Sequence, residues 1–143
     1  MDGLRIFLVD DDKEDQEFFR DALSEINEAV LLSIFNSGDE LLRALRQKDS
    51  KPDMIYLDLH MPILDGEECL DILRKNTDLK SVPIVIYSTE LDMDRIAQLF
   101  FKGANRYIRK PDSFDSLVAS IKATINSLKR NSLGGNAIIN IVV

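Results

Sequence analysis

The sequence predicts an α/β domain: a doubly wound, five-stranded parallel sheet with helices on both faces. Two observations lead there. Five short, β-prone apolar runs alternate with segments whose apolar residues recur at helical spacing, and right-handed crossovers force that order into a parallel sheet covered on both sides. The runs themselves are apolar nearly throughout instead of alternating, as strands buried on both faces must be.

The first strand is Leu4 to Val9, and it stops abruptly in Asp10-Asp11-Asp12. From Lys13 to Asn27, Phe18, Phe19, Ala22, Leu23 and Ile26 form a helical stripe, while Glu14, Asp15 and Glu17 load the first turns with the charge a helix N-terminus favours. Val30 to Phe35 is the second strand, broken by Asn36-Ser37-Gly38, and Leu41, Leu42 and Leu45 mark a second helix reaching about Lys48. Lys51-Pro52 turns the chain into the third strand, Met54 to Leu57. Cys69, Leu70 and Leu73 give a third helix ending near Asn76, with Cys69 read as helix packing. Val82 to Tyr87 is the fourth strand, with Pro83 near its start, where a missing N–H is tolerated. Met93, Ile96, Leu99, Phe100 and Gly103 lie along a fourth helix, beside whose stripe Phe101 is a possible partner contact; Asn105 to Arg109 is the fifth strand. The last helix runs from about Ser113 to Arg130. Residues 131–143 leave the pattern: a Gly-containing stretch precedes an uncharged, β-prone tail that either pairs with a sheet edge or a second chain, or stays disordered.

At 143 residues and 45% hydrophobic content the chain is one ordinary domain, with no room for a second. A net charge of −7, with no Lys/Arg cluster on a single predicted face, argues against direct nucleic-acid binding. No stretch approaches the roughly 18 apolar residues of a membrane span, the N-terminus lacks a signal pattern, and Cys69 is alone, so a reducing cytoplasm is the expected setting.

Ligands of an open parallel sheet bind beyond the carboxyl ends of its strands, where the strand order reverses. Those ends carry Asp10 and Asp11, Asp58, Ser88 and Lys110, which places acidic, hydroxyl and cationic groups on one rim. Three carboxylates about 4 Å apart repel by roughly 4 kcal/mol per pair at an effective dielectric near 20, so something positive must sit among them. Lys110 supplies one charge. Carboxylate oxygens with room for water suit Mg²⁺, whereas zinc would want the His or Cys ligands missing here. Such a pocket suits an incoming phosphoryl group, with Asp58 as nucleophile, the cation and Lys110 balancing its oxygens, and Ser88 donating a hydrogen bond.

These residues, in this order, resemble the receiver domain of two-component response regulators, the family of the bacterial chemotaxis regulator. The resemblance covers residues 4–130 and rests on Asp10-Asp11, on Asp58 with Met61-Pro62 and Asp65-Gly66, on Ser88, and on Lys110-Pro111. It implies a flavodoxin-like sheet with strand order 2-1-3-4-5, a receiver domain over residues 1–130, and a short apolar tail at 131–143 with no output domain. It also implies that Asp58 accepts phosphate from a histidine kinase or phosphotransfer protein, that Asp10, Asp11, Asp58 and the His60 backbone carbonyl hold Mg²⁺, and that Lys110 contacts the phosphoryl group. Ser88 and Tyr107 would form a switch pair in which Ser88 moves inward and Tyr107 rotates into the vacated space. His60, Thr89 and Glu90 occupy positions that tune phosphate lifetime in this family.

Such a domain is a signalling module that catalyses only its own phosphorylation and dephosphorylation. It meets a downstream protein partner, or a second copy, through the face of the fourth helix, fifth strand and fifth helix, or through the tail. Ile86 to Pro111 partly resemble the subgroup of single-domain regulators paired with phytochrome-like sensor kinases. Two other functions stand beside this one. An aspartyl-nucleophile phosphatase would want a second aspartate two residues after Asp58, where His60 stands. A receiver-like binding module that takes no phosphate would be at odds with the presence of all five expected side chains. For Asp12 the better reading is a cap on the first helix.

Overall fold

The computed structural model describes residues 3–47 and 51–130, and the backbone of 137–139. In chain order the elements are β1 Leu4–Val9, α1 Lys13–Ser24, β2 Val30–Phe35, α2 Gly38–Leu45, β3 Met54–Leu57, α3 Gly66–Lys75, β4 Ile84–Ser88, α4 Met93–Phe101, β5 Arg106–Arg109, α5 Phe114–Arg130 and β6 Ala137–Ile139. The sheet runs β2-β1-β3-β4-β5-β6 with every pair parallel, so the five expected strands take the order 2-1-3-4-5 and a sixth extends the β5 edge. Part of the tail therefore pairs with the sheet; the remainder, and with it the disordered alternative, lies outside the described residues.

Strand side chains alternate between two cores, which is why both faces must be covered. Phe7, Val9, Ile55, Leu57, Ile86 and Tyr107 pack with Leu41, Leu70, Leu73, Ile96 and Leu99 from α2, α3 and α4. On the opposite face Ile6, Leu8, Tyr56, Val85, Tyr87 and Ile108 pack with Phe19, Ala22, Leu117, Ile121 and Ile125 from α1 and α5. Phe19 links that second core by edge contacts to both Tyr56 and Tyr87, at 5.0 and 5.6 Å between ring centroids.

Element ends differ from the sequence reading for local reasons. α1 stops at Ser24, three residues before Asn27, where the Glu25 and Ile26 N–H groups turn back to the Ala22 and Leu23 carbonyls. α2 ends at Leu45, and Lys48 lies outside the described residues. β4 begins at Ile84 because Pro83 has no N–H to give the ladder and the Ile84 N–H goes to the Asn105 side chain. The polar stretch after α3 holds a 3-10 turn, Thr77–Leu79, capped by Asn76. Each α-helix start is sealed by a side chain: Asp12 on α1, Ser37 on α2, the Asp65/Glu68 capping box on α3, Asp92 on α4, and Ser113 on α5, whose hydroxyl accepts the Ser116 N–H.

The β3–α3 connection is tightly folded. Gly66 approaches so close to the end of β3 that a Cβ there would lie 2.2 Å from the Asp58 carbonyl oxygen, which excludes any side chain. Earlier in the same loop Ile63 has φ 70°, and the Leu64 N–H donates to the Pro62 carbonyl at 2.8 Å, a γ-turn that strains a β-branched residue. Ile63 is 97% exposed, so its side chain gives nothing back through burial. Ile63→Asn should therefore stabilise the fold by about 1 kcal/mol, read as a higher urea midpoint at unchanged slope. An unchanged or lower midpoint would show that the loop carries no such strain.

Candidate functional site

The strand order reverses between β1 and β3, and the site lies at their carboxyl ends. The Asp58 N–H donates to the Val9 carbonyl at 3.0 Å and the Asp10 N–H to Phe35 at 3.1 Å, so both aspartates are fixed by ladder bonds just as their strands finish. Asp10 is fully buried and Asp58 is 5% exposed, whereas Asp11 faces solvent. One carboxylate oxygen from each of the three lies within 4.8 Å of the others. Gln16 braces the rim: its Nε2 donates to the Asp10 carbonyl at 2.6 Å and to Asn36 Oδ1 at 2.8 Å, tying the ends of β1 and β2 together.

Lys110 enters from the end of β5, where its N–H donates to the Ser88 carbonyl at 2.7 Å. Its Nζ lies 2.9 Å from Asp10 Oδ2, 2.7 Å from Asp15 Oδ2 and 3.6 Å from Asp58 Oδ1. The ammonium also sits 5.0 Å from the centre of the Tyr87 ring, within cation–π reach. Burial alone would lower the lysine pKa. The hydrogen bond to Asp15 and the charges of Asp10 and Asp58 outweigh it and hold the ammonium firmly protonated.

The carboxylates respond in the opposite sense. Burial pushes the Asp58 carboxyl up to about 6 and raises Asp10 as well, although Lys110 pulls both down. The pocket thus holds more negative charge than one lysine neutralises, and its donors are hard carboxylate oxygens from separate elements. That donor set fits a small divalent cation such as Mg²⁺.

The other expected residues are close by. Ser88 is buried at the end of β4, and its hydroxyl accepts the Glu90 N–H at 3.1 Å. Tyr107 is fully buried and its hydroxyl donates to the Glu90 carbonyl, so the ring already occupies the inward position. Thr89 is exposed. The His60 N–H donates to Asp58 Oδ1 at 3.3 Å, while its imidazole, more than half exposed, lies 3.7 Å from Glu90 Oε1. Asp12 is the α1 cap, its carboxylate accepting the Glu14 and Asp15 N–H groups.

Sequence reasoning missed three participants. Asp15 was read only as a first-turn charge, yet it lies four residues before Phe19 and seven before Ala22, on the stripe that faces the core; that spacing was the available signal. Tyr87 was read only as strand core. The third is a charge chain in which Glu90 pairs with Arg95 (3.6 Å), Arg95 with Glu67 (3.2 Å), and Lys102 with Glu67 (2.8 Å) and Asp71 (3.1 Å), joining the β4–α4 loop to α3. Phe101 is 94% exposed on α4. Among the described residues no helix is long and apolar enough to cross a membrane.

Comparison with known proteins gives the family and fold likeness of this chain. The family described as the response regulator receiver domain matches residues 6–122. Protein PilG of Pseudomonas aeruginosa is 29% identical over 126 residues, covering 88% of this chain and 90% of PilG. The phosphorylated cyanobacterial phytochrome response regulator RcpA superposes with a TM-score of 0.78 at 30% identity, over 92% of this chain and 96% of RcpA. The Mn²⁺-bound form of response regulator Rcp1, a protein of Synechocystis sp., does so with a TM-score of 0.76 at 27% identity, over 94% of this chain and 99% of Rcp1.

Proposed function

Because this chain belongs to the response regulator receiver domain family, whose match spans residues 6–122, we propose that Asp58 accepts a phosphoryl group from a sensor histidine kinase or phosphotransfer protein. The observation that carries the reading is the buried Asp58 carboxylate sharing a 4.8 Å cup with Asp10 and Asp11, with the Lys110 ammonium 3.6 Å away. Asp10, Asp11, Asp58 and the His60 carbonyl would hold Mg²⁺, which when bound supplies positive charge against the phosphoryl oxygens. The side chains divide the remaining work. Ionised Asp58 is the nucleophile, Lys110 offers N–H donors to the transferred group, and the Ser88 hydroxyl donates a hydrogen bond to it. His60 and Thr89, both exposed, follow Asp58 and Ser88 closely in the chain, and with Glu90 they would set how readily water reaches the acyl phosphate.

The response then passes through Ser88 and Tyr107. Phosphorylation gives Asp58 strong acceptor oxygens that the Ser88 hydroxyl can follow, and Tyr107 in its inward position fills the space behind it. Since the Glu90 backbone touches both residues, a shift there biases the face of α4, β5 and α5 by the roughly 1–3 kcal/mol typical of allosteric coupling. A downstream protein or a second copy would read that face or the tail. Likeness to RcpA favours a phytochrome-type sensor kinase as donor, and such a module would work in the cytoplasm.

Incubation with acetyl phosphate and Mg²⁺ tests the reading by intact-mass spectrometry. One phosphate per chain is expected, absent in Asp58→Ala and in excess chelator. Continuous release of inorganic phosphate over many turnovers would make the protein a hydrolase instead. No labelling with metal present would make it a binding module.

A further inference from the structure

Lys110 is more strongly engaged with a residue outside the acidic cup than with the acceptor it is proposed to serve. Its Nζ makes its shortest contact, 2.7 Å, with Asp15 of α1 and its longest, 3.6 Å, with Asp58. Asp15 does not belong to the cluster of Asp10, Asp11 and Asp58, and its side chain, 34% exposed, is tied to the site by its ion pair with Lys110. The Tyr87 ring at 5.0 Å and Asp10 at 2.9 Å define two further sides of the lysine pocket. An ammonium has three N–H donors, and two point at these short carboxylate contacts.

We propose that Asp15 is a positioning residue that holds the Lys110 ammonium back from Asp58, so that an incoming phosphoryl group must compete with Asp15 for it. The inference rests on the phosphoryl-acceptor reading given above. In the step concerned an oxygen of ionised Asp58 forms a bond to phosphorus as the bond from phosphorus to the acetate oxygen breaks. Acetate leaves with that electron pair, and no proton is transferred. Charge moves toward the phosphoryl oxygens and the leaving group, and Lys110 stabilises it only as far as Asp15 releases the ammonium. Asparagine at position 15 can still accept a hydrogen bond, but without charge the bond is weaker and the lysine is freer to follow the phosphoryl group.

The test is the initial rate of Asp58 labelling by acetyl phosphate at saturating Mg²⁺, in 0.1 M and 1 M KCl, for the wild type, Asp15→Asn, Asp15→Ser and Asp15→Glu, each first checked for folding by circular dichroism. Both neutral variants should label roughly five-fold faster, the change expected when a charge-assisted competitor is lost, and Asp15→Glu should return the rate to that of the wild type. The gain should persist in 1 M salt, where screening extends over only about 3 Å and a mere surface-charge effect on donor approach disappears. Neutral variants that label at the wild-type rate or more slowly, a gain that vanishes in 1 M salt, or an Asp15→Glu variant as fast as Asp15→Asn would each overturn the positioning role while leaving the acceptor reading intact. A wild type that takes no phosphate would overturn both.

Discussion

Asp58→Asn is expected to make the metal-free protein more stable at neutral pH, by about 3 kcal/mol, while abolishing phosphoryl acceptance. Burial raises the Asp58 carboxyl from 3.8 to about 6 in the fold, so the folded chain holds this proton more tightly than the unfolded chain does. Below about pH 4 the group is protonated in both states and costs nothing. As the pH rises from about 4 to about 6 the unfolded chain ionises first, stability drains away, and above about 6 the full penalty is present. The amide keeps the shape, still accepts the His60 N–H and never ionises. Urea unfolding in excess chelator should therefore show the two proteins alike near pH 4, with the gap opening up to pH 6 and level beyond it. Mg²⁺ should narrow the gap, because a ligand that binds the folded state stabilises it and the wild type offers that ligand one more carboxylate. Equal stabilities at pH 7.5, or a gap independent of pH, would show that the buried charge is compensated by something other than metal.

What the sequence could reveal of this site follows from how its parts are specified. Asp10, Asp58, Ser88 and Lys110 were legible because each directly follows or ends an apolar run, and a parallel sheet brings all such ends to one edge. Asp12 was legible as a cap because its bonds reach only two and three residues ahead. Asp15 was not, since its partner is 95 residues away, and its place on the core-facing stripe of α1 marks an inward side chain without saying what it meets there. Tyr87 was hidden for a similar reason: its ring meets Lys110 only after β5 has been placed beside β4. Tyr107 raised a different difficulty, because sequence identifies the residue but not which of two rotamers it occupies. The strand order was likewise carried by family resemblance, since alternation of elements fixes parallel pairing but leaves the sequence of neighbours open.

The same distinction explains the residue on which the opposite end of the sheet depends, and whose loss should be the most damaging to the fold. Arg74, in the last turn of α3, looks like a surface cation suited to a helix C-terminus. In the structure its guanidinium donates to the carbonyls of Gly103, Leu79 and Val82, each at 2.9 Å, and to Asn105 Oδ1 at 2.8 Å. It thereby joins α3, the 3-10 turn, the entry to β4 and the α4–β5 turn, while Asn105 Oδ1 in turn accepts the Ile84 N–H at 2.9 Å. Among the described residues no carboxylate takes part, and burial lowers the pKa of the guanidinium. Its partners are all neutral acceptors; the Leu79 carbonyl and Asn105 Oδ1 also accept the Val82 and Ile84 N–H groups, whereas the Gly103 and Val82 carbonyls are met by the guanidinium. Arg74→Ala removes all four bonds and leaves the Gly103 and Val82 carbonyls without their guanidinium donor, so a loss of about 3–5 kcal/mol is expected, a large part of the roughly 5–15 kcal/mol that holds a domain of this size together. Arg74→Lys should recover only a minority of it, because a single ammonium cannot span acceptors arranged around a planar fork. Denaturant unfolding measures both, and acetyl phosphate labelling of the folded fraction should stay close to that of the wild type, since the aspartates lie at the other end of the strands. A loss below about 1 kcal/mol in Arg74→Ala would mean that water replaces the guanidinium at little cost, and that the α3–β4–β5 corner is held by apolar packing alone.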